Sequence, residues 1–215
     1  MDGYIAEELM QADTVLEAVL RACTEAGLPA INVTPPQGKL LHLLAKMRNA
    51  SRILEIGTLG GYSTIWLARA LPNNGCLVTL ELEPKHAEVA RANFSQAGVA
   101  GKIDLRIGLA SDHLAQLVAA RVEPFDLVFI DADKASAADY FGLALKLSHL
   151  GTAIIVDNVI RQGAVADSTS TDLNVRGIQR FNRAVAAESR VTATAIQTVG
   201  SKGYDGFALV LVTGS

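Results

Sequence analysis

Hydrophobic residues along the chain fall into short β-branched runs that alternate with stretches of helical periodicity. From Arg52 onward, apolar runs predict strands over 52–56, 76–81, 103–107, 126–131 and 152–156. The gaps between them predict helices at about 63–71, 84–97, 111–120 and 135–148, each long enough for a crossover connection. This alternation is typical of an α/β, doubly wound, Rossmann-like fold with a mostly parallel sheet and helices on both faces.

The N-terminal part of the chain is helical in pattern. Apolar residues between Ala6 and Glu25 recur near one face, which predicts a single helix over that range. The following segment Thr34-Pro35-Pro36-Gln37 has the form of a capping box with proline at the first helical position. It predicts a second helix that runs to about Met47.

The C-terminal part predicts the edge of the sheet. After a helix at about 174–188, apolar runs at 191–199 and 207–212 flank a glycine-containing turn at 201–206. Two strands joined in this way form an antiparallel hairpin, which completes a predicted seven-stranded sheet. The polar stretch 161–173 is expected to be a mobile loop.

Composition narrows the class of protein. The chain has 215 residues, of which 50% are hydrophobic, and its formal net charge is −3 with no block of Lys or Arg. This predicts a single domain over 1–215 that binds neither nucleic acid nor an anionic membrane as its main partner. Cys23 and Cys76 show no metal-ligand spacing. Without a signal peptide or an apolar run of membrane-spanning length, a reducing cytoplasmic location is expected.

A glycine-rich loop follows the first predicted strand. Gly57, Gly60 and Gly61 separate Glu55 from a helix that begins at about Ser63. Such a loop lets the backbone approach a nucleotide-type ligand at a helix N-terminus, although a tight turn without a ligand remains an alternative. The strict G-x-G-x-x-G spacing of dinucleotide enzymes is absent.

Acidic residues end the next strands. Glu81 closes the second strand, where a carboxylate can accept both hydroxyls of an adenosine ribose or simply face solvent. Asp131 and Asp133 close the fourth strand, where either a metal neutralises them or one of them caps a helix. Asp157 and Asn158 close the fifth, so with Asp131 they would form an oxygen-only site of the kind Mg²⁺ prefers, unless they only form turns.

Lys134 directly follows the acidic pair. A lysine beside a metal and partly withdrawn from water can lose its proton readily and act as a base. The alternative is a solvated lysine at the start of a helix.

Taken as a set, five segments resemble the cation-dependent O-methyltransferases, the family of caffeoyl-CoA and catechol O-methyltransferases and their bacterial relatives. The resemblance covers nearly the whole chain, and it implies S-adenosylmethionine as methyl donor and a divalent cation, usually Mg²⁺ but also Mn²⁺ or Ca²⁺. The segments are LEIGTLGGYS (54–63), LELEP (80–84), IDLRIGLA (103–110), FIDADK (129–134) and IIVDN (154–158).

The resemblance also implies roles for individual residues. Asp131, Asp157 and Asn158 would bind the metal, and Lys134 would be the catalytic base, with Asp131 taking part in catalysis through the metal. The cofactor-binding residues implied are Val33, Glu55, Gly57, Thr58, Ser63, Glu81, Ala110, Asp133 and Tyr140.

The acceptor is implied only as a class. It would be a small aromatic molecule with vicinal hydroxyls, methylated by in-line displacement after one hydroxyl loses its proton to Lys134. Plant members carry Trp and Asn where this chain has Ile160 and Arg161, so the acceptor cannot be inherited from them. Residues 1–48 are expected to form a helical cap that contributes to the acceptor pocket and to a homodimer.

Other functions on the same fold remain open at this point. A nicotinamide-dependent oxidoreductase would require a glycine fingerprint and a Tyr-x-x-x-Lys pair that the sequence lacks. A binding protein without catalysis would be expected to have lost part of the metal set. A metal-independent methyltransferase is the closest alternative.

Overall fold

A computed structural model of the chain describes residues 1–214. One seven-stranded sheet runs in the order β3-β2-β1-β4-β5-β7-β6, which confirms the predicted Rossmann-like α/β class. The strands are β1 (Arg52–Ile56), β2 (Cys76–Glu81), β3 (Ile103–Ile107), β4 (Phe125–Ile130), β5 (Ser148–Asp157), β6 (Val191–Gly200) and β7 (Gly203–Val212).

Helices precede and separate these strands. Short 3₁₀ helices cover Ala100–Lys102, Lys134–Ser136 and Arg161–Ala166. The α-helices are α1 (Asp2–Leu9), α2 (Thr14–Glu25), α3 (Pro35–Met47), α4 (Tyr62–Ala70), α5 (Pro84–Gln96), α6 (Ala110–Ala119), α7 (Ala137–Lys146) and α8 (Leu173–Ala187).

The chain divides into two compact units, of which the first is Met1–Leu109. There β1 pairs with β2 and β2 with β3, all parallel. Nearly every residue of β1 and β2 is buried, which is expected of parallel strands covered on both faces. At the start of α3, the side chain of Thr34 accepts a hydrogen bond from the N–H of Gln37, as the capping box predicts.

The second unit begins at Ala110. In it β4 and β5 are parallel, whereas β7 is antiparallel to both β5 and β6. Phe125, Phe129 and Phe181 are its largest fully buried side chains. Phe181 meets Phe141 edge to face, with ring centroids 5.6 Å apart, so α8 is held against α7. The predicted antiparallel hairpin at the sheet edge is confirmed.

The single N-terminal helix predicted from Ala6 to Glu25 is wrong. The chain leaves the helix after Leu9 and begins α2 at Thr14. Asp13 supplies the reason, because its carboxylate accepts the N–H of Leu16 as an N-cap and also pairs with Arg69. No Gly or Pro marks this break, so the apolar periodicity alone could not locate it.

Two predicted boundaries in the C-terminal part are also wrong. β5 begins at Ser148 rather than 152, and β7 begins at Gly203 rather than 207. The polar residues 203–206 continue the ladder with β6 instead of forming a turn, so only Ser201 and Lys202 connect the two strands. The predicted loop at 161–173 contains the 3₁₀ helix Arg161–Ala166.

Candidate active site

In the first unit, Glu55 is the centre of a buried hydroxyl network. Its side chain is fully buried at the end of β1 and accepts hydrogen bonds from Ser63 and Thr64 on α4 and from Thr79 on β2, at 2.5–2.7 Å. Thr79 has one hydroxyl proton and gives it to Glu55, so the 2.6 Å bond between Thr58 and Thr79 is donated by Thr58. The network ties the glycine loop to the strands on either side of it.

The glycines of this loop have structural reasons to be glycine. Gly57 and Gly61 have φ of 100° and 84°, in the left-handed region that favours glycine. A Cβ at Gly60 would lie 2.1 Å from the sulfur of Cys23, and one at Gly61 would lie 2.3 Å from the ring of Phe94. Close contact with α2 and α5 therefore accounts for Gly60 and Gly61 without a ligand.

Glu81 is buried and not the solvent-facing acid of the alternative interpretation. One carboxylate oxygen accepts the N–H groups of Thr58 and Leu59 at 3.1 and 2.7 Å. The other accepts the N–H of Glu83 at 3.0 Å and lies 3.2 Å from Nδ1 of His86. Since each oxygen has about two acceptor positions, the carboxylate is saturated in this state.

In the second unit, Lys134 and Asp131 form a close ion pair. The Nζ of Lys134 donates to Oδ1 of Asp131 at 2.7 Å, and the lysine side chain is only 9% exposed. The alternative of a solvated helix-start lysine is therefore wrong. On the backbone side, Gly177 of α8 lies against Lys134, where a Cβ would come within 2.0 Å of the Lys134 carbonyl oxygen.

Asp133 has a structural role that the sequence left open. Its carboxylate caps the 3₁₀ helix by accepting the N–H of Ser136 at 3.0 Å, and it accepts the hydroxyl of Tyr140 at 2.6 Å. Burial alone would raise the pKa of Asp133, but these hydrogen bonds outweigh it and lower the pKa. Burial and the adjacent carboxylate raise the pKa of Tyr140.

The carboxyl ends of β4 and β5 lie side by side. Ile130 is paired with Val156, so Asp131 and Asp157 follow in neighbouring positions on strands about 4.8 Å apart. Asp157 is buried, and its Oδ1 accepts the N–H of Asn158 at 2.9 Å. Asn158 has φ of 56°, a left-handed conformation that asparagine tolerates better than most residues.

The remaining predicted residues lie at the start of helices. Val33 is buried immediately before the N-cap of α3 in the first unit, and Ala110 is the first residue of α6 in the second. Among residues 1–214, no three His, Cys, Asp or Glu side chains converge as a metal cluster. A site at the strand ends would therefore combine two carboxylates with the Asn158 amide.

Sequence reasoning missed three polar residues near these sites. Thr79 completes the Glu55 network, and Asp205 of β7 accepts the N–H groups of Ile160 and Arg161 at 3.1 and 2.9 Å. The third is Lys202, whose charge interacts with Asp131 and Asp157. The pairing of β7 with β5 brings the latter two to the site, and no sequence motif marks that register.

Comparison with known proteins identifies the family to which this chain belongs. Residues 6–211 match the O-methyltransferase family. The chain is 52% identical over 212 residues to the catechol O-methyltransferase of Niastella koreensis, covering 99% of this chain and 96% of the relative. This chain belongs to the O-methyltransferase family.

Solved structures agree with that assignment. The O-methyltransferase from Bacillus cereus in complex with SAH matches with a TM-score of 0.97 and 54% identity, over 99% of this chain and 96% of that one. The O-methyltransferase TomG from Streptomyces achromogenes, involved in tomaymycin synthesis and solved in complex with SAM, matches with a TM-score of 0.96 and 52% identity, over the same shares of the two chains. Within the described residues, no helix is both long and apolar enough to cross a membrane.

Proposed function

We propose that this protein transfers a methyl group from S-adenosylmethionine to one hydroxyl of a catechol-type acceptor, with a divalent cation such as Mg²⁺ bound at the ends of β4 and β5. Family membership supports the reaction type. Relatives solved with SAH and SAM support the donor, and the name of the Niastella koreensis relative supports the acceptor class. The observation that carries the cation is the neighbouring position of Asp131 and Asp157.

On the donor side, the glycine loop and Glu81 are proposed to bind the nucleoside. Three of the four hydrogen bonds to Glu81 come from backbone N–H groups, two in the glycine loop and one from Glu83 at the start of α5. Only His86 can withdraw by rotating a side chain. Ribose binding by Glu81 therefore requires His86 to give up its contact. Glu55 would act indirectly, by holding Ser63 and the first turn of α4 in place.

On the acceptor side, the donor set fits a hard divalent cation. Asp131 and Asp157 offer carboxylate oxygens and Asn158 offers an amide oxygen, the ligand types that Mg²⁺ prefers. A cation bound there would supply the charge that favours loss of a proton from the acceptor hydroxyl. The left-handed backbone at Asn158 is held by the following segment, which hydrogen-bonds to Asp205.

Lys134 is the proposed base at Nζ. An ammonium group cannot accept a proton, so this role requires Lys134 to lose its proton before turnover. The Nζ of Lys134 lies 2.7 Å from Oδ1 of Asp131, a proposed cation ligand, so the amine is positioned beside the proposed metal site.

The proposal is tested by turnover with labelled donor. Purified protein is incubated with S-adenosylmethionine and catechol, with added Mg²⁺ or with EDTA. Methylated catechol is expected only with the cation, and restored Mg²⁺ should recover the rate after chelation. Equal rates in both conditions would favour a metal-independent methyltransferase instead.

Matched variants separate the site from general effects of charge removal. Asp157→Asn keeps the shape of the side chain but removes one proposed ligand charge, and it should lower the rate at least 100-fold, in line with removal of a metal-dependent step. Asp139→Asn removes the same charge from an exposed position on α7 and should retain the rate. An equal effect of both variants would contradict the assignment of Asp157.

A homodimer and a role of residues 1–48 in the acceptor pocket stay part of the proposal. They are supported by large apolar side chains exposed in this segment, among them Tyr4, Leu9, Ile31 and Met47. Such side chains are consistent with a surface that another molecule covers. Light scattering of the purified protein should give twice the chain mass of 22.7 kDa. The expected cytoplasmic location and the single-domain organisation likewise stay predictions.

A further inference from the structure

The turn between β6 and β7 extends past the end of β5. The two strands pair from Val191–Val212 to Gly200–Gly203, so Ser201 and Lys202 form the connection. Asp157, the last residue of β5, pairs with Phe207. Between Phe207 and Gly203, β7 therefore continues about 13 Å beyond Asp157, at roughly 3.3 Å per residue. The turn projects from the edge of the sheet that carries Asp157 and Asn158.

The base of this hairpin is fixed to the segment after Asn158. The carboxylate of Asp205 accepts the N–H groups of Ile160 and Arg161, and the carbonyl of Gly206 accepts the N–H of Val159 at 3.0 Å. A Cβ at Gly206 would lie 2.6 Å from the side chain of Ile160, so the two segments are in close contact. The direction of the turn is therefore set by the same segment that follows the proposed metal ligands.

The charge of Lys202, in this turn, interacts with the carboxylates at the ends of both β4 and β5. Lys202 is exposed as a residue, yet burial of its ammonium is the larger influence and lowers its pKa, while Asp131 and Asp157 act to raise it. These two carboxylates come from different strands. A lysine in a hairpin turn would otherwise extend into solvent, which favours the charged form. Its interaction with both carboxylates puts a positive charge near the proposed metal ligands.

We propose that Lys202 is a specificity-determining residue that selects acceptors bearing a carboxylate on the dihydroxy-aromatic ring. The inference rests on the proposed function. Two carboxylates that hold a divalent cation have their charge balanced by it, and Asp131 is also paired with Lys134. The attraction between Lys202 and these carboxylates is then weakened, so Lys202 can pair with an anionic substituent of the acceptor. A neutral acceptor would leave that partly buried charge without a partner.

The test compares two acceptors that differ in this one group. Wild-type protein should give a higher kcat/KM with 3,4-dihydroxybenzoate than with 3,4-dihydroxybenzyl alcohol. In Lys202→Met the preference should fall roughly twofold to fivefold through a higher KM for the benzoate, the size typical of a partly exposed charge pair. Lys202→Arg should keep most of the preference. Lys146→Met, which removes an exposed lysine at the end of α7, should leave the ratio unchanged.

A binding measurement gives a second readout without turnover. Calorimetric titration of 3,4-dihydroxybenzoate into protein with Mg²⁺ and S-adenosylhomocysteine should show the same loss of affinity in Lys202→Met, with no change for the benzyl alcohol. An unchanged ratio of the two affinities, or an equal loss for both acceptors, would overturn the role of Lys202. If wild-type protein methylates neither acceptor, the proposed function itself fails. If it methylates both and Lys202→Met alters nothing, only this inference fails.

Discussion

The close contact between Gly177 and Lys134 makes the position of the proposed base sensitive to a single methyl group. In Gly177→Ala, the new Cβ would lie 2.0 Å from the carbonyl oxygen of Lys134 and 2.7 Å from the Cα of Ala135. To reach an ordinary contact of 3.4 Å, the methyl group and the oxygen would have to separate by about 1.4 Å. The atoms opposing the methyl group are backbone, so no side-chain rotation can relieve the contact.

Two effects of this displacement can be given magnitudes. Overpacking of this kind costs about 1–3 kcal/mol of unfolding free energy. For a chain of this size, that corresponds to a fall in Tm of about 2–12 °C. A shift of about 1 Å at a catalytic group costs about 100-fold in rate. We therefore expect kcat to fall about 100-fold in Gly177→Ala while the folded protein still binds S-adenosylmethionine.

The assay is kcat at saturating donor, catechol and Mg²⁺, together with Tm and donor affinity by calorimetry. Gly142→Ala is the matched control, because a methyl group added to Gly142 in α7 would extend into open space. It should keep kcat and gain about 0.5–1 kcal/mol of stability from the better helix former. If Gly177→Ala keeps kcat within twofold, the base is not held by the backbone at Lys134, and the argument is refuted.

Three further predictions follow from the hydrogen bonds in the two units. Thr79→Val removes a hydroxyl donor from the buried carboxylate of Glu55 and should lower the free energy of unfolding by about 1–3 kcal/mol in urea denaturation, whereas Thr194→Val on exposed β6 should stay within about 0.5 kcal/mol. Tyr140→Phe removes a hydrogen bond to Asp133 and should raise the pKa of that carboxyl group. Because the pKa of Asp133 is lowered in the folded protein, the stability linked to it is present above the unfolded value near 3.9 and is lost as pH falls through the folded value. The difference in Tm between the variant and the wild type should therefore shrink below about pH 4. Asp205→Ala should weaken Mg²⁺ binding in calorimetry by releasing the segment after Asn158, and an unchanged affinity would show that this anchor does not position the amide.

Most of the parallel part of the sheet could be predicted because β1, β2 and β4 are largely apolar and buried. The bounds of β1, β2 and β3 are as predicted, although no residue of β3 is buried, and β4 is displaced by one residue. The N-terminal break between α1 and α2 could not be predicted in this way. It depends on Asp13, whose cap and ion pair with Arg69 are tertiary features that periodicity does not report.

The candidate site likewise contains residues whose positions could be predicted from sequence and residues whose positions could not. The neighbouring positions of Asp131 and Asp157 could be predicted from sequence because the carboxyl ends of parallel strands meet at one edge of a sheet. Lys202 and Asp205 could not, since their positions follow from the register of an antiparallel pair, and the polar residues before Gly206 gave no indication that the ladder continues there. Asp133 was ambiguous because one carboxylate can cap a helix and face a ligand, and the sequence does not distinguish the two roles.

The central claim is that Asp131, Asp157 and Asn158 hold a divalent cation. The most direct measurement is calorimetric titration of Mg²⁺ into metal-free wild-type protein, Asp157→Asn and Asp139→Asn. We predict one site per chain in the wild type and in Asp139→Asn, with binding abolished or weakened at least tenfold in Asp157→Asn. Equal Mg²⁺ affinity in all three proteins, or no binding to the wild type, would contradict the claim.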